Sequence, residues 1–144
     1  MAVLTTKFGR FGTTLYDLCR GIDNRPVETD RQRKSISVEE TFSVDLTTLS
    51  EGIRQIPILL ERLKERLSEC SDLIIAKLFI KIKFYDFTRT TAESIFPELD
   101  IRQYESLFIT GYIRHNKPIR LIGLGVRLKP ISEKFPQQLT FNDL

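Results

Sequence analysis

Tryptophan is absent from this chain of 144 residues, and cysteine and histidine are scarce. The two cysteines, Cys19 and Cys70, have no C-x-x-C spacing and no neighbouring histidine cluster. The single histidine, His115, lies in a polar stretch without a second imidazole to share a metal ion or a proton. We therefore predict reduced thiols, no disulfide framework and no metal site.

Long apolar runs are also missing. No run approaches the roughly 20 residues that a membrane-spanning helix needs. Near the N-terminus, residues 8–11 (FGRF) interrupt any apolar segment of the kind found in secretory signal peptides. We expect a cytoplasmic protein that does not associate with a membrane.

Motifs of catalytic sites are absent as well. The chain has neither a phosphate-cradling G-x-x-x-x-G-K-S/T loop nor a nucleophile elbow. Metal-dependent phosphoryl transfer needs carboxylates that converge on its ions, whereas the acidic residues here fall mostly in loops or on the predicted outer faces of helices. We expect no catalytic residue in this chain.

The residues that are present are typical of a globular domain. Hydrophobic residues make up 41% of the chain, and the net charge is +3. The basic residues are clustered, with one group at 31–34 and five lysines and arginines between 114 and 129, where no acidic residue occurs. This distribution predicts a molecule with one basic face.

Hydrophobic periodicity divides the chain into segments. Large apolar residues recur at helical spacing between Leu4 and Leu18, which predicts one amphipathic helix that stops at Gly21. Residues 22–34 are mostly polar and predict an extended linker. Residues 35–42 then alternate between polar and apolar, which predicts a strand.

The remaining segments complete a β-α-β-β-α-β order. Apolar residues from Leu49 to Leu67 predict a helix with Ser50 as a possible N-cap. Residues 74–85 and 88–96 predict two strands, residues 101–112 a second helix, and residues 122–128 a last strand. We predict an α+β domain with a four-stranded antiparallel sheet and two helices on one face, preceded by one isolated helix.

One face of this sheet is predicted to stay open, because in residues 74–85 the even positions are all apolar and suit the helix side. The opposite face then carries Ser35, Ser37, Thr41, Lys77, Phe79, Lys81, Lys83, Gly123, Gly125 and Arg127. Cations, hydroxyls and glycines in this arrangement suit a phosphate backbone. Lysines on an exposed strand face also prevent edge-to-edge aggregation, and glycines relieve crowding, so both interpretations are open at this point.

Several ordered runs resemble one family. They are residues 7–12 (KFGRFG), 15–16 (LY), 21–23 (GID), 25–27 (RPV), 34–42 (KSISVEETF) and 120–126 (RLIGLGV). The first five are similar to the junction of the thumb and little finger in the DNA polymerase IV branch of the Y family of DNA polymerases. The last is similar to the final strand of the family's little finger.

The resemblance implies a domain organisation. Residues 1–21 would be the last thumb helix, 22–34 the linker, 35–130 the little finger and 131–144 a flexible clamp-binding tail. The parent protein would be a nucleotidyltransferase for translesion synthesis. Its palm and fingers, with the catalytic carboxylates and Mg²⁺ ions, would lie outside this chain, which itself needs no cofactor.

The resemblance and the open face together give the predicted site residues. Expected to contact primer–template DNA are Arg33, Lys34, Ser35, Ser37, Lys77, Lys81, Lys83, Arg89, Gly123, Gly125 and Arg127.

The C-terminal segment is similar to the family's motif for the sliding clamp (its beta subunit). Gln138 and Leu139 match that motif directly. Phe141 stands where leucine is usual, and Leu144 comes one place later than the usual terminal apolar residue. This tail is expected to dock into a hydrophobic groove of the clamp.

Two other classes share this topology. An RNA-binding sheet domain would carry stacking aromatics in a K/R-G-F/Y-G/A-F-V-x-F/Y segment, which residues 81–87 (KIKFYDF) do not match. A protein-interaction module would bind its partner without salt-dependent affinity for DNA.

Overall fold

The computed structural model describes residues 2–29, 32–70 and 73–130. These described residues form two compact units, which divide between Gln32 and Arg33. In the first unit, helix α1 spans Ala2–Phe8 and helix α2 spans Arg10–Leu18.

The predicted single N-terminal helix is wrong at Gly9, where the structure has a break between two helices. The φ of Gly9 is 56°, in the left-handed region, which ends α1. Gly12 is buried, and a Cβ there would lie 2.3 Å from the carbonyl oxygen of Leu4. The two glycines thus allow α2 to pack on the backbone of α1, although the apolar spacing runs through both helices.

The end of α2 has the predicted glycine stop. Gly21 has a φ of 75° and donates its backbone N–H to the carbonyl oxygen of Leu18 at 3.0 Å. The N–H of Ile22 donates to the carbonyl oxygen of Asp17 at 3.0 Å. These two bonds form the Schellman pattern that commonly closes a helix. Residues 22–29 form no helix or strand.

The second unit has the predicted β-α-β-β-α-β order, so the α+β fold class is confirmed. Its elements are β1 Ser35–Leu46, α3 Leu49–Ser68, β2 Leu73–Phe84, β3 Arg89–Ser94, α4 Ile101–Ile113 and β4 Ile119–Pro130. The strands lie in the order β1-β4-β2-β3, and each neighbouring pair is antiparallel. Strands β1 and β3 are therefore the edges of the sheet.

Helix α3 begins with a capping box at Thr48, not at the predicted Ser50. The Thr48 hydroxyl accepts a hydrogen bond from the Glu51 backbone N–H at 3.2 Å, and the Glu51 carboxylate accepts one from the Thr48 N–H at 2.9 Å. That backbone bond from Thr48 lowers the pKa of Glu51. Two of the backbone donors that a helix start leaves without a partner are thereby satisfied.

The core lies between the sheet and the two helices. The even positions of β2 from Leu78 to Phe84 are fully buried, as the alternation predicts. Against them pack Ile56 and Leu63 of α3 and Phe108 of α4. Each such side chain contributes about 1.5–3 kcal/mol of burial free energy. The odd positions of the strands are thereby directed to the other face.

Candidate nucleic-acid interface

The open face is a grid of four rows that cross the strands, and the pairing register defines each row. In order, the rows contain Ser35, Arg127 and Lys77; then Ser37, Gly125, Phe79 and Glu93; then Glu39, Gly123, Lys81 and Thr91; and finally Thr41, Leu121, Lys83 and Arg89. The register thus brings nine of the eleven predicted DNA-binding residues together on one surface. It also adds two carboxylates, Glu39 and Glu93, that the sequence prediction left out.

The remaining two predicted residues, Arg33 and Lys34, precede β1 and are exposed. The carbonyl oxygen of Lys34 accepts a hydrogen bond from the Leu128 N–H at 2.9 Å, which extends the pairing of β1 with β4. The guanidinium of Arg33 lies 3.5 Å from the Cys70 sulfur, a weak contact that leaves its charge available.

Three cations at one end of the face are held by the two carboxylates, and we call Lys77, Lys81 and Arg127 the paired end. The Lys77 ammonium lies 2.9 Å from Glu93, and the Arg127 guanidinium lies 3.7 Å from the same carboxylate. The Lys81 ammonium lies 2.5 Å from Glu39. The hydrogen bond from Lys77, with the charges of Lys77 and Arg127, lowers the pKa of Glu93 and keeps it ionised.

An aromatic ring fills the middle of the paired end. Phe79 points to the open face but is only 7% exposed, because it lies over Gly125 and beneath the guanidinium of Arg127 at 4.8 Å from the ring centroid. A Cβ at Gly125 would lie 2.3 Å from the Phe79 ring, and one at Gly123 would lie 2.9 Å from the Glu39 side chain. Both glycines therefore relieve crowding within the sheet, and their predicted contact with DNA stays a prediction.

The other end of the face carries Lys83, Arg89 and Arg120, which we call the unpaired end. Within residues 2–29, 32–70 and 73–130, none of these three cations forms an ion pair with a carboxylate. Two of them lie over the ring of Phe87 instead: the Lys83 ammonium at 4.4 Å and the Arg120 guanidinium at 5.2 Å from its centroid. Within the four rows and the adjoining Arg120, this end presents positive charge that is available to an external anion.

Arg120 is a member of this surface that the sequence prediction missed. Even positions of β4, such as Ile122, point towards the helices, and strict alternation would send Arg120 there too. However, Lys83 pairs with Leu121 and the next residue of β2, Phe84, pairs with Ile119. Arg120 is the extra residue of a β-bulge, which re-aims its side chain to the open face. Nothing in the local sequence signals this bulge.

The hairpin that connects β2 and β3 borders the unpaired end. Its turn is fastened by Asp86, whose carboxylate accepts hydrogen bonds from the Thr88 N–H at 3.1 Å and the Thr88 hydroxyl at 2.6 Å. The Lys117 ammonium pairs with the same carboxylate at 2.6 Å. These contacts, that of Lys117 above all, lower the pKa of Asp86 to about 2.

Strand β1 is an edge of the sheet, and two side chains of α3 contact part of it. The Arg66 guanidinium donates to the carbonyl oxygen of Ser37 at 2.8 Å, and Arg62 pairs with Glu40 at 2.6 Å. These contacts hold β1 at Ser37 and Glu40, and the register places the predicted residues Ser35 and Ser37 along the border of the open face. Their hydroxyls and edge amides are donors of the kind that bind phosphate oxygens.

A ligand pocket, a metal site and a membrane-spanning helix find little support among the described residues. A groove of about 480 Å³ lies between α3 and the start of α4, lined by Pro57, Leu60 and Ile101 among others, and none of the predicted site residues lines it. In the part of the chain that the structure describes, no three His, Cys, Asp or Glu side chains come together as metal ligands. No helix in those ranges is long and apolar enough to cross a membrane.

The predicted clamp-binding residues Gln138, Leu139, Phe141 and Leu144 lie outside the described residues.

Residues 33–141 match the impB/mucB/samB family C-terminal domain. The chain is 41% identical over 139 residues to a DNA polymerase IV of Ralstonia nicotianae, and 42% identical over 142 residues to one of Legionella pneumophila. These alignments cover 96% and 98% of this chain but 39% and 40% of the two relatives. The chain thus spans about two fifths of their length.

Two solved structures are similar. One is the little finger domain of PolIV in a complex with the beta-clamp processivity factor, with a TM-score of 0.62 and 31% identity, covering 75% of this chain and 98% of that chain. The other is a chimera of Y-family DNA polymerases, with a TM-score of 0.62, 18% identity and coverage of 90% of this chain and 38% of that chain, which supports the fold alone.

With its antiparallel sheet and both helices on one face, the second unit has the architecture of a polymerase little-finger domain, as the match to the little finger of PolIV shows. The chain belongs to the impB/mucB/samB family, and residues 33–141, its C-terminal domain, are a little finger of the DNA polymerase IV type. The resemblance stated from the sequence is thereby confirmed.

Proposed function

We propose that the open sheet face binds the sugar-phosphate backbone of primer–template DNA, without sequence preference, for an error-prone translesion polymerase of the DNA polymerase IV type. The observation that carries this proposal is the unpaired end. Lys83, Arg89 and Arg120 converge there on a face that the helices leave open, and none of them is neutralised by a carboxylate among the described residues.

The chemistry of the face fits a backbone better than base edges. Cations release counterions from phosphates and give affinity that falls with salt. The hydroxyls of Ser35 and Ser37, at the border of the face, suit short hydrogen bonds to phosphate oxygens. Side chains of the Asn and Gln type, which read adenine edges, do not occur in the four rows.

Docking on the sliding clamp is the second part of the proposal. A similar domain, the little finger of PolIV, forms a complex with the beta-clamp processivity factor. We infer that Gln138 and Leu139, with Phe141 and Leu144, serve this purpose here. A tether to a ring around DNA would raise the local concentration of the polymerase at primer ends.

The other parts of the chain follow from the same proposal. Residues 1–21 would end the thumb and residues 22–34 would connect it to the little finger at 35–130, with 131–144 as the clamp-binding tail. Nucleotidyl transfer and its Mg²⁺ ions would belong to the palm and fingers of the parent protein. We expect this protein to act in the cytoplasm.

Fluorescence anisotropy with a labelled primer–template duplex tests DNA binding. The expected result is binding whose affinity falls steeply between about 50 and 200 mM salt, with little dependence on sequence. A preference for single-stranded RNA would favour the RNA-binding class. Absence of salt-dependent binding to either nucleic acid would favour a protein-interaction module.

A titration with purified clamp tests the tail. The matched pair is the intact chain and a version in which Gln138 and Leu139 are both alanine. We expect the substituted chain to bind the clamp at least about tenfold more weakly, because central anchors dominate interface energies. Equal affinity of the two chains would remove Gln138 and Leu139 as docking residues without affecting the DNA result.

A further inference from the structure

The hairpin between β2 and β3 has an unusual residue in its turn. The Phe84 N–H donates to the carbonyl oxygen of Thr88 at 2.9 Å, and the Phe87 N–H donates to that of Phe84 at 2.9 Å. Phe87 has a φ of 65°. This is the left-handed position that closes a three-residue hairpin loop, where glycine is the usual residue. A bulky side chain at this position is strained.

Burial in the core does not account for phenylalanine at this position. Phe87 is 60% exposed and belongs neither to the core cluster nor to the partly buried residues packed against it. The contacts of the ring are instead with charge: Lys83 at 4.4 Å and Arg120 at 5.2 Å from the centroid. Strain that persists at an exposed position indicates a functional constraint.

The surrounding structure holds the ring in place. Asp86 fastens the turn through Thr88 and Lys117, so Phe87 lies on an ordered hairpin end. The β-bulge directs Arg120 towards the same ring from the neighbouring strand. The strained turn residue and the β-bulge both depart from regular sheet geometry, and they meet in the contact between Phe87 and Arg120.

We propose that Phe87 is a positioning residue for DNA binding: its ring holds the Lys83 ammonium and the Arg120 guanidinium together at the open face, ready to meet phosphates. The inference rests on the proposed function and adds a residue to it. Long basic side chains lose rotamer freedom when they bind a phosphate. A cation–π contact restricts that freedom beforehand and keeps both charges at one place on the surface.

Substitutions of Phe87 test this role through two readouts, anisotropy with the labelled primer–template duplex and thermal unfolding. Phe87→Leu keeps apolar bulk but removes the π face, and we expect binding to weaken about 3- to 10-fold. Phe87→Tyr keeps the face and should bind as the unchanged chain does. Phe87→Gly also removes the ring but relieves the strain, so it should weaken binding equally while its Tm stays at or above that of Phe87→Leu.

Asn116 supplies a matched control, since it is the other described non-glycine residue with positive φ, at 51°. Asn116→Gly should raise Tm modestly and leave DNA affinity unchanged. If Phe87→Leu binds DNA as tightly as the unchanged chain, the positioning role is wrong although the proposed function stands. If the unchanged chain shows no salt-dependent DNA binding, the proposed function fails and this inference fails with it.

A double-mutant cycle separates positioning from direct contact. With Lys83→Ala and Arg120→Ala already in place, Phe87→Leu should have no further effect on DNA affinity. An undiminished effect in that background would mean that the ring contacts DNA by itself, and positioning would be ruled out.

Discussion

The two ends of the open sheet face carry similar cations but give them different partners. At the paired end, Lys77 and Arg127 share Glu93, and Lys81 is bound to Glu39. At the unpaired end, Lys83 and Arg120 lie on an aromatic ring, which leaves their charge intact. A count of basic residues on a face therefore overestimates its attraction for phosphate, because only uncompensated charge acts at a distance.

Removal of charge should give the largest difference in DNA affinity between the two ends. We expect Lys83→Ala with Arg120→Ala to weaken binding of primer–template DNA about 10- to 100-fold and to reduce the slope of log affinity against log salt by about two. Lys81→Ala with Glu39→Ala deletes one cation together with its partner, so affinity should stay within about twofold. Equal losses in the two double variants, measured by anisotropy, would remove the distinction between the ends.

The next largest expected effect is on stability, and it concerns the packing beneath the paired end. Gly125→Ala places a Cβ against the Phe79 ring and 2.8 Å from the carbonyl oxygen of Ile36, so we expect a loss of about 1–2 kcal/mol in the free energy of unfolding. Gly123→Ala is the matched control. Its Cβ meets mainly the flexible Glu39 side chain and should cost less in urea denaturation. The opposite order would mean that Phe79 is loosely held.

Neutralising the carboxylates should make the paired end resemble the unpaired end. Glu39→Gln with Glu93→Gln keeps the side-chain shapes and frees Lys77, Lys81 and Arg127. We expect DNA affinity to rise about 3- to 10-fold and the salt slope to steepen by about one, because the freed cations can then pair with phosphate. An unchanged affinity at low salt would show that DNA does not reach this end.

The smallest expected effect concerns pH at the hairpin of the unpaired end. Asp86 has a pKa of about 2, lowered mainly by Lys117. A lowered pKa in the folded state means that its stabilising contribution is present above its unfolded value of 3.8 and is lost as pH falls towards 2. An NMR titration of this carboxyl should give a midpoint near 2, and Lys117→Met should raise it. A midpoint near 3.8 in the unchanged chain would contradict the observed contacts.

Much of the fold, but less of the site, follows from local sequence. Period-two alternation predicts which side of β2 is buried, because side chains alternate strictly along a regular strand. The partners of Lys77 and Lys81 depend on the register between strands that are distant in sequence, and the position of Arg120 depends on a bulge. Neither has a local signal, so the strand residues predicted for the open face do share one face, but the carboxylates beside them and Arg120 were not predicted.

The ends of the helices show the same difference between what the local sequence predicts and what it does not. The apolar spacing from Leu4 to Leu18 continues across the break at Gly9, because helix periodicity reports buried faces and not backbone continuity. Gly21 was predictable as a stop because a left-handed residue there is a local requirement. The cap at Thr48 was missed by two positions, since several hydroxyl residues in residues 47–50 compete for that role.

The central claim is that DNA binds the open face at its unpaired end. The most direct test is a titration of ¹⁵N-labelled chain with primer–template duplex, followed through the backbone amides and the arginine Nε–H signals. We predict the largest shifts at Arg120, Arg89 and the 83–88 hairpin, smaller ones near Lys77, and none on the outer surface of α4 around Ile109. Shifts concentrated on α3 and α4, with the open face unchanged, would contradict the account.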